Sequence, residues 1–459
     1  MANYLLVDIG STYTKLTAVN LEKADIIATS RHFTTVDTDV QIGYQNALDL
    51  LRLQVGEIEF SKILACSSAA GGLKMAAIGL VEELTVEAAK RVCLNAGGKV
   101  DLVYSHFITK KDAEAIKNAK IDIVLLAGGT DGGNREAVLH NAKMLGQARL
   151  DIPIVYAGNH ACQDEILEIF EEYHLNGYLC DNVMPKLNTL NIDSARETIK
   201  NIFMNNIIAA KGIKKIEEEV DGVLLPTPHS VLKAAELLSK GYLHEDGLGE
   251  IVLVDIGGAT TDIYSIGSGD PKRANAVMHG LQEPFAKRTV EGDLGMRYSA
   301  LGVIKNLNEE QLKLYLEDGI DLISEAKYRN QNVDFLPKNK EEKQVDQELA
   351  KICADIAFSR HVGTMETIYT PLGVMYYQTG KDLTDVKYVI GTGGVMIYGD
   401  HPENILNQVS FNPKKPLELR PKSPEYLVDS DYILSAMGLL SLDNPEIALK
   451  IMKKRMKRI

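Results

Sequence analysis

DIGSTYTK at residues 8–15 and its near-copy DIGGATTD at 255–262 decide the fold. Each copy follows a short apolar run, YLLV before Asp8 and IVLV before Asp255. Each leads into a second β-prone run, LTAV and IYSI. Both therefore read as strand–turn–strand hairpins with an aspartate closing the first strand. Glycine at 10, and at 257 and 258, lets the backbone turn sharply, so that successive N–H groups converge on one anion. Ser11 and Thr12, and Thr260 and Thr261, add hydroxyl donors beside those amides. Asp8 and Asp255 stand where a carboxylate can hold water on a Mg²⁺ that already carries nucleotide oxygens. A single such run is ordinarily a tight hairpin and nothing more. Two copies, with a strand opening onto GTGGV at 391–395, point to phosphate. Nothing else competes: GxxxxGK[ST] is absent, and GTGGVMIYG fails GxGxxG because Met396 replaces the last glycine.

Working outward, apolar runs alternate with amphipathic helices. VQIGYQNALDLLRLQ (40–54) reads as a helix, and KILAC as a strand opening onto SSAAGGL (67–73). DIVLLA then leads to GGTDGG (128–133), and IPIVYAGN to QDEILEIFEEY. This is an α/β pattern. The second half replays the order, with a helical middle at about 341–379 before VKYVI and GTGGV. Asp8 to Gly128 and Asp255 to Gly391 are similar separations, which makes GGTDGG the expected first-half counterpart of GTGGV. A duplicated, two-lobed molecule follows, with lobes at 1–240 and 241–459 and a crossing near the polar, glycine-rich segment 239–250. Two hairpin lips facing each other would clamp a polyphosphate.

Composition sets the limits. A chain of 459 residues with 45% hydrophobic and 25% charged residues is that of an ordinary soluble protein with a sizeable core. A formal charge of −13 offers no field for a nucleic-acid backbone, so no nucleic-acid partner is expected. The basic ending KIMKKRMKRI reads as a solvated last helix turn rather than a membrane contact. No signal sequence or membrane-length apolar run is present, which places the chain in the cytoplasm. Five scattered cysteines without a CxxC pair read as reduced, buried thiols.

VDIGSTYTKL, LVDIGGATTDIYS and VIGTGGVMI resemble the first phosphate, second phosphate and adenosine elements of the actin, Hsp70 and sugar-kinase superfamily. LPTPHSVLKAAELL (225–238) resembles its connecting helix, and RTVEGDLGMRYS (288–299) its glycine-rich helix entry beneath the nucleotide. The resemblance implies a ribonuclease H-like, duplicated ATPase fold with central mixed sheets. It makes Asp8 and Asp255 the water-mediated Mg²⁺ ligands. Gly10, Ser11, Thr12, Gly257, Gly258, Thr260 and Thr261 line the phosphates, and Gly391, Gly393 and Gly394 approach the adenosine. Lys15 and Asp262, past the turns, are weaker candidates that read equally as solvent-facing. The superfamily's acid before the connecting-helix proline is replaced here by Leu225, which implies slow hydrolysis suited to a conformational switch. Glu291 and Asp293 are the nearest substitutes.

A narrower resemblance covers the whole chain. DIGSTYTK, ACSSAAGGLKMA, LLAGGTDGGN, VYAGN, DIGGATTDIYS and RTVEGDLGMR, in this order, are similar to the glutamate mutase accessory protein family (GlmL/MutL) of amino-acid-fermenting bacteria. That implies an ATP- and Mg²⁺-using, chaperone-like reactivating factor that lets intact cofactor replace damaged cobalamin in an adenosylcobalamin-dependent mutase. Glutamate mutase is the first expectation and ornithine aminomutase the second. Alternatives are a small-molecule kinase of the same fold, an ATPase activator of a dehydratase and a filament-forming actin relative. The absence of tryptophan speaks mildly against a sugar site.

Overall fold

The computed structural model describes residues 2–10, 12–34, 40–68, 73–203, 220–221, 224–371 and 373–459. They fall into two compact units, Met1–Glu22 with Ile26–Ser230 and Gly280–Gln282, and Lys23–Asp25 with Val231–His279 and Glu283–Ile459. The chain passes from the first to the second at Ser230, inside the helix Thr227–Lys240.

In the first unit, β1 (Asn3–Ile9) and β2 (Tyr13–Asn20) form the first hairpin. β3 (Asp25–Phe33) lies beside β2, and β4 (Lys62–Ser67) runs parallel to β1. The helix Val40–Val55 buries Val40, Gly43, Tyr44, Ala47 and Leu51, spaced three and four apart as one helical face requires. Next come β5 (Leu73–Gly79), β6 (Gly98–Ser105), β7 (Ile123–Leu126), β8 (Ile154–Tyr156) and β9 (Gly177–Leu179). They form a separate, wholly parallel sheet in the order β6-β5-β7-β8-β9. β7 and β8 are buried throughout, as a parallel sheet covered on both faces demands. β10 (Leu224–Pro226) then returns to the first sheet beside β4.

The second unit adds a short ribbon of β11 (Gly241–Tyr242) and β12 (Glu245–Asp246), then the second hairpin, β13 (Ile251–Ile256) and β14 (Thr261–Ile266). β15 (Ala276–His279) joins β17 (Thr364–Thr370) and β18 (Gly373–Thr379) in a small sheet, while β16 (Ala286–Glu291) pairs with β14. β19 (Tyr388–Thr392), β20 (Glu425–Asp429) and β21 (Met456–Arg458) complete the main sheet, ordered β16-β14-β13-β19-β20-β21.

The first sheet reads β3-β2-β1-β4-β10 and the second β16-β14-β13-β19-β20, so in each the hairpin has a third strand beside its second strand and two parallel strands beside its first. The hairpin registers coincide as well: Ile9 faces Thr14 as Ile256 faces Thr261. This repeated topology is the actin/Hsp70-like, ribonuclease H-like duplication.

Three sequence expectations are corrected. The counterpart of β19 and its GTGGV turn is β4 with SSAAGG, because β4 lies parallel to β1 as β19 does to β13. GGTDGG follows β7 in the other sheet, so the matching separations are coincidental. The helical middle ends at His361, and 364–379 is a β-hairpin, as the alternating Thr, Ile, Tyr and Val of TMETIYT and GVMYYQT favour. The basic ending is a solvated helix turn only in part: Lys453, Lys454 and Arg455 close the last helix with both lysines exposed, but the charges are paired and a strand follows. Lys453 bonds Glu245, Lys454 and Arg455 bond Asp25, and Met456–Arg458 adds a strand to the sheet. No helix among the described residues is long and apolar enough to cross a membrane.

Candidate functional site

In the first unit, Asp8 ends β1 almost wholly buried, at 3% exposure, opposite Lys15. Its Oδ2 accepts from Lys15 Nζ at 3.1 Å. Its Oδ1 accepts from Thr227 Oγ1 at 2.8 Å and from the Cys66 thiol at 3.6 Å. Burial, reinforced by the Asp8 charge, pushes the Cys66 thiol well above its ordinary pKa, so it stays protonated and donates. The turn is closed by Gly10 N–H donating to Tyr13 O at 3.0 Å, and Thr12 O accepts from Thr34 N at 2.8 Å. Ser68 N and Ser67 Oγ both donate to Ile9 O, holding the end of β4 against the end of β1. Ser11 lies outside the described residues.

The second hairpin repeats the closure: Gly257 N–H donates to Thr260 O at 2.9 Å. The segment after β16 lines up behind the turn. Gly257 O accepts from Met296 N at 3.0 Å, Gly258 O from Arg297 N at 2.8 Å, and Ala259 O from Ser299 Oγ at 2.6 Å. Gly295 makes this approach possible, since a Cβ there would sit 2.5 Å from the Ala259 carbonyl carbon. Every peptide bond described is trans, so each N–H points opposite to the carbonyl of its own plane. The N–H groups of Gly258, Ala259 and Thr260 therefore point away from 296–299, and no acceptor among the described residues takes them. They form a concave row of donors beside half-buried Asp255.

Thr261 is not part of that row. It is fully buried and its hydroxyl donates to Leu294 O at 2.9 Å, pinning the backing segment. The adenosine candidates do lie beside the hairpin. Thr392 is the parallel partner of Asp255, and Gly391 that of Val254. Gly393 has φ +101°, and a Cβ there would run into Ile256 O. Gly394 opens a short helix. These elements meet at the carboxyl ends of parallel strands, where open α/β sheets take ligands. Thr392 Oγ1 is held by buried Asp429, which also accepts from Ile433 N and Leu434 N.

Neither weaker candidate faces solvent. Lys15 is ion-paired with Asp8. Asp262, opposite Asp255, is buried and accepts from Arg288 Nε at 2.8 Å and from Thr260 Oγ1 at 3.0 Å. Burial works against the Arg288 charge, but Asp262 beside it more than offsets this and keeps the guanidinium protonated.

Glu291 ends β16 opposite Thr261 and binds Arg360 Nη1 at 2.5 Å. The same arginine holds Asp293 at 2.9 Å and Asn306 at 2.8 Å. Burial raises the Glu291 pKa despite Arg360. For Asp293, burial is outweighed by hydrogen bonds from Arg360 and Asn306, and the pKa falls. The depressed Asp293 stabilises the fold above the ordinary aspartate range, and that contribution disappears as pH drops through its lowered value. Arg360→Gln should therefore cost about 1 kcal/mol at neutral pH, since the pair is partly exposed. In urea unfolding followed against pH, the gap from wild type should close in acid. A gap that stays constant down to the acid limit contradicts this arrangement.

Sequence reasoning missed Thr227 and Arg288. Thr227 lay inside the quoted LPTP and Arg288 at the head of RTVEGD, but nothing local named their partners. Leu225 is 1% exposed and pairs with Cys66 in the sheet.

The family model described as MutL protein matches residues 4–456. Protein MutL of Clostridium tetanomorphum is 51% identical over 462 residues, covering 100% of both chains. Among solved structures, a diol dehydratase-reactivating factor is 10% identical, covering 96% of this chain and 99% of its own, with a TM-score of 0.36. Xylulose kinase from Lactobacillus acidophilus is 11% identical, covering 100% and 93%, with a TM-score of 0.34. The ethanolamine utilization protein EutJ from Carboxydothermus hydrogenoformans is 11% identical, covering 98% and 90%, with a TM-score of 0.32. With a family match spanning all but the chain's extreme ends and a full-length relative at half identity, this chain belongs to the MutL protein family.

Proposed function

We propose that this protein is an ATP- and Mg²⁺-dependent reactivating factor for an adenosylcobalamin-dependent mutase, glutamate mutase first and ornithine aminomutase second. The observation that carries the nucleotide reading is the row of Gly258, Ala259 and Thr260 N–H groups aimed away from their backing segment beside Asp255. The same turn closure recurs beside Asp8. Such donors suit phosphate oxygens, and beside Asp8 the Thr12 hydroxyl offers another. Asp8 and Asp255 supply hard carboxylate oxygens, which fit a water-coordinated Mg²⁺. When bound, that ion neutralises charge on the phosphates. Gly394, where a Cβ would meet nothing within 4 Å, leaves room for a nucleoside at the strand end, whereas Gly391 and Gly393 are packed against Leu406, Met396 and the Ile256 carbonyl.

Hydrolysis should be slow. Leu225 is apolar and buried in the sheet, and Glu291 is engaged by Arg360, so neither position offers a free carboxylate to orient water. A slow ATPase is what a switch needs: nucleotide affinity that differs between two conformations shifts their populations. Family membership supports an accessory role, and the resemblance to glutamate mutase accessory proteins points to the mutase partner. The test mixes this protein, Mg-ATP and fresh adenosylcobalamin with glutamate mutase inactivated during turnover. Activity should return with ATP and not without it. Recovery that ignores ATP, or no recovery with either mutase, rejects the proposal.

A further inference from the structure

The two oxygens of Asp8 have different surroundings. Oδ1 faces Thr227, the first residue of a helix, at 2.8 Å, with the weaker thiol of Cys66 at 3.6 Å. Oδ2 faces Lys15, which is partly exposed at 17%. A buried carboxylate keeps one orientation only where a good donor holds one of its oxygens. The other oxygen then keeps a fixed direction. Cys66 is too long and too weak a donor for that task, and Lys15 sits on a flexible stem. Thr227 has a short side chain anchored on a helix and a strand, since β10 immediately precedes it.

We infer that Thr227 is a positioning residue: its hydroxyl holds Asp8 Oδ1 so that Oδ2 is the oxygen turned toward the metal-bound water. This rests on the reading of Asp8 as a Mg²⁺-side carboxylate. Outer-shell partners of this kind typically contribute about 10- to 100-fold to metal affinity. Thr227 reaches Asp8 across 219 positions of sequence, and no motif carries the pairing.

The test is calorimetric binding of AMP-PNP with Mg²⁺ and with EDTA, using full-length protein. Thr227→Val, which keeps shape and removes the hydroxyl, should weaken Mg²⁺-dependent binding about 10- to 100-fold and leave EDTA binding within about twofold. Thr227→Ser, which keeps the donor, should restore the wild-type difference. Equal losses with and without Mg²⁺ mark a merely structural residue and overturn the inference, as does normal Mg²⁺-dependent binding by Thr227→Val while Asp8→Asn fails. Normal binding by Asp8→Asn overturns the metal role of Asp8 itself, and the inference with it.

Discussion

Asp8→Asn and Asp255→Asn should each weaken Mg·AMP-PNP binding about 100-fold, close to 2.7 kcal/mol, and should each abolish recovery of mutase activity. The substitution changes little in shape. At position 8 it keeps an oxygen for Thr227 but sets an amide N–H₂ against Lys15, which is itself only a donor. At position 255 it removes a charge beside three amides that point away from residues 296–299, where a Mg²⁺-carrying phosphate would need one. Asp8 is buried, so some loss of stability is also expected. Binding of the nucleotide with EDTA separates the two effects, because a misfolded variant loses both. If both variants bind Mg·AMP-PNP like wild type, neither carboxylate serves the metal.

The hairpins were legible because both signals in them are local. Apolar runs give the strands, and Asp-Ile-Gly sets the turn and leaves the carboxylate at its lip. What spacing could not reveal was which glycine turn sits beside which hairpin. Every strand-to-helix passage in an α/β protein favours small residues, so GGTDGG after β7 and SSAAGG after β4 look alike in sequence. Only the strand pairing, β4 on β1 and β7 on β5, separates them. The parallel sheet of residues 73–179 interrupts the first half between β4 and β10, whereas only residues 393–424 separate β19 from β20. That asymmetry made a false symmetry in the spacings. Charged partners were illegible for the same reason. Lys15 and Asp262 follow their turns at the same register position, yet one meets Asp8 across its own hairpin and the other meets Arg288 on a third strand.

Arg288→Met should destabilise the second unit by about 3–5 kcal/mol, the usual result of leaving one member of a buried ion pair behind. Arg288 and Asp262 are 4% and 7% exposed, and the guanidinium reaches Asp262 Oδ1 through both Nε and Nη2. Asp262 also stands directly opposite Asp255, on the same sheet face. Without the cation, two carboxylates confront each other beside the phosphate turn, and one must move or take up a proton. The double variant Asp262→Asn/Arg288→Met has no stranded charge and should recover most of the loss in urea unfolding. Its nucleotide affinity then decides what Asp262 is for. Wild-type affinity in the restored protein makes Asp262 a structural partner of Arg288, whereas a persistent tenfold loss with Mg²⁺ places it among the groups that serve the nucleotide. Should Arg288→Met alone cost under about 1 kcal/mol, the pair is solvated and this account of the second hairpin fails.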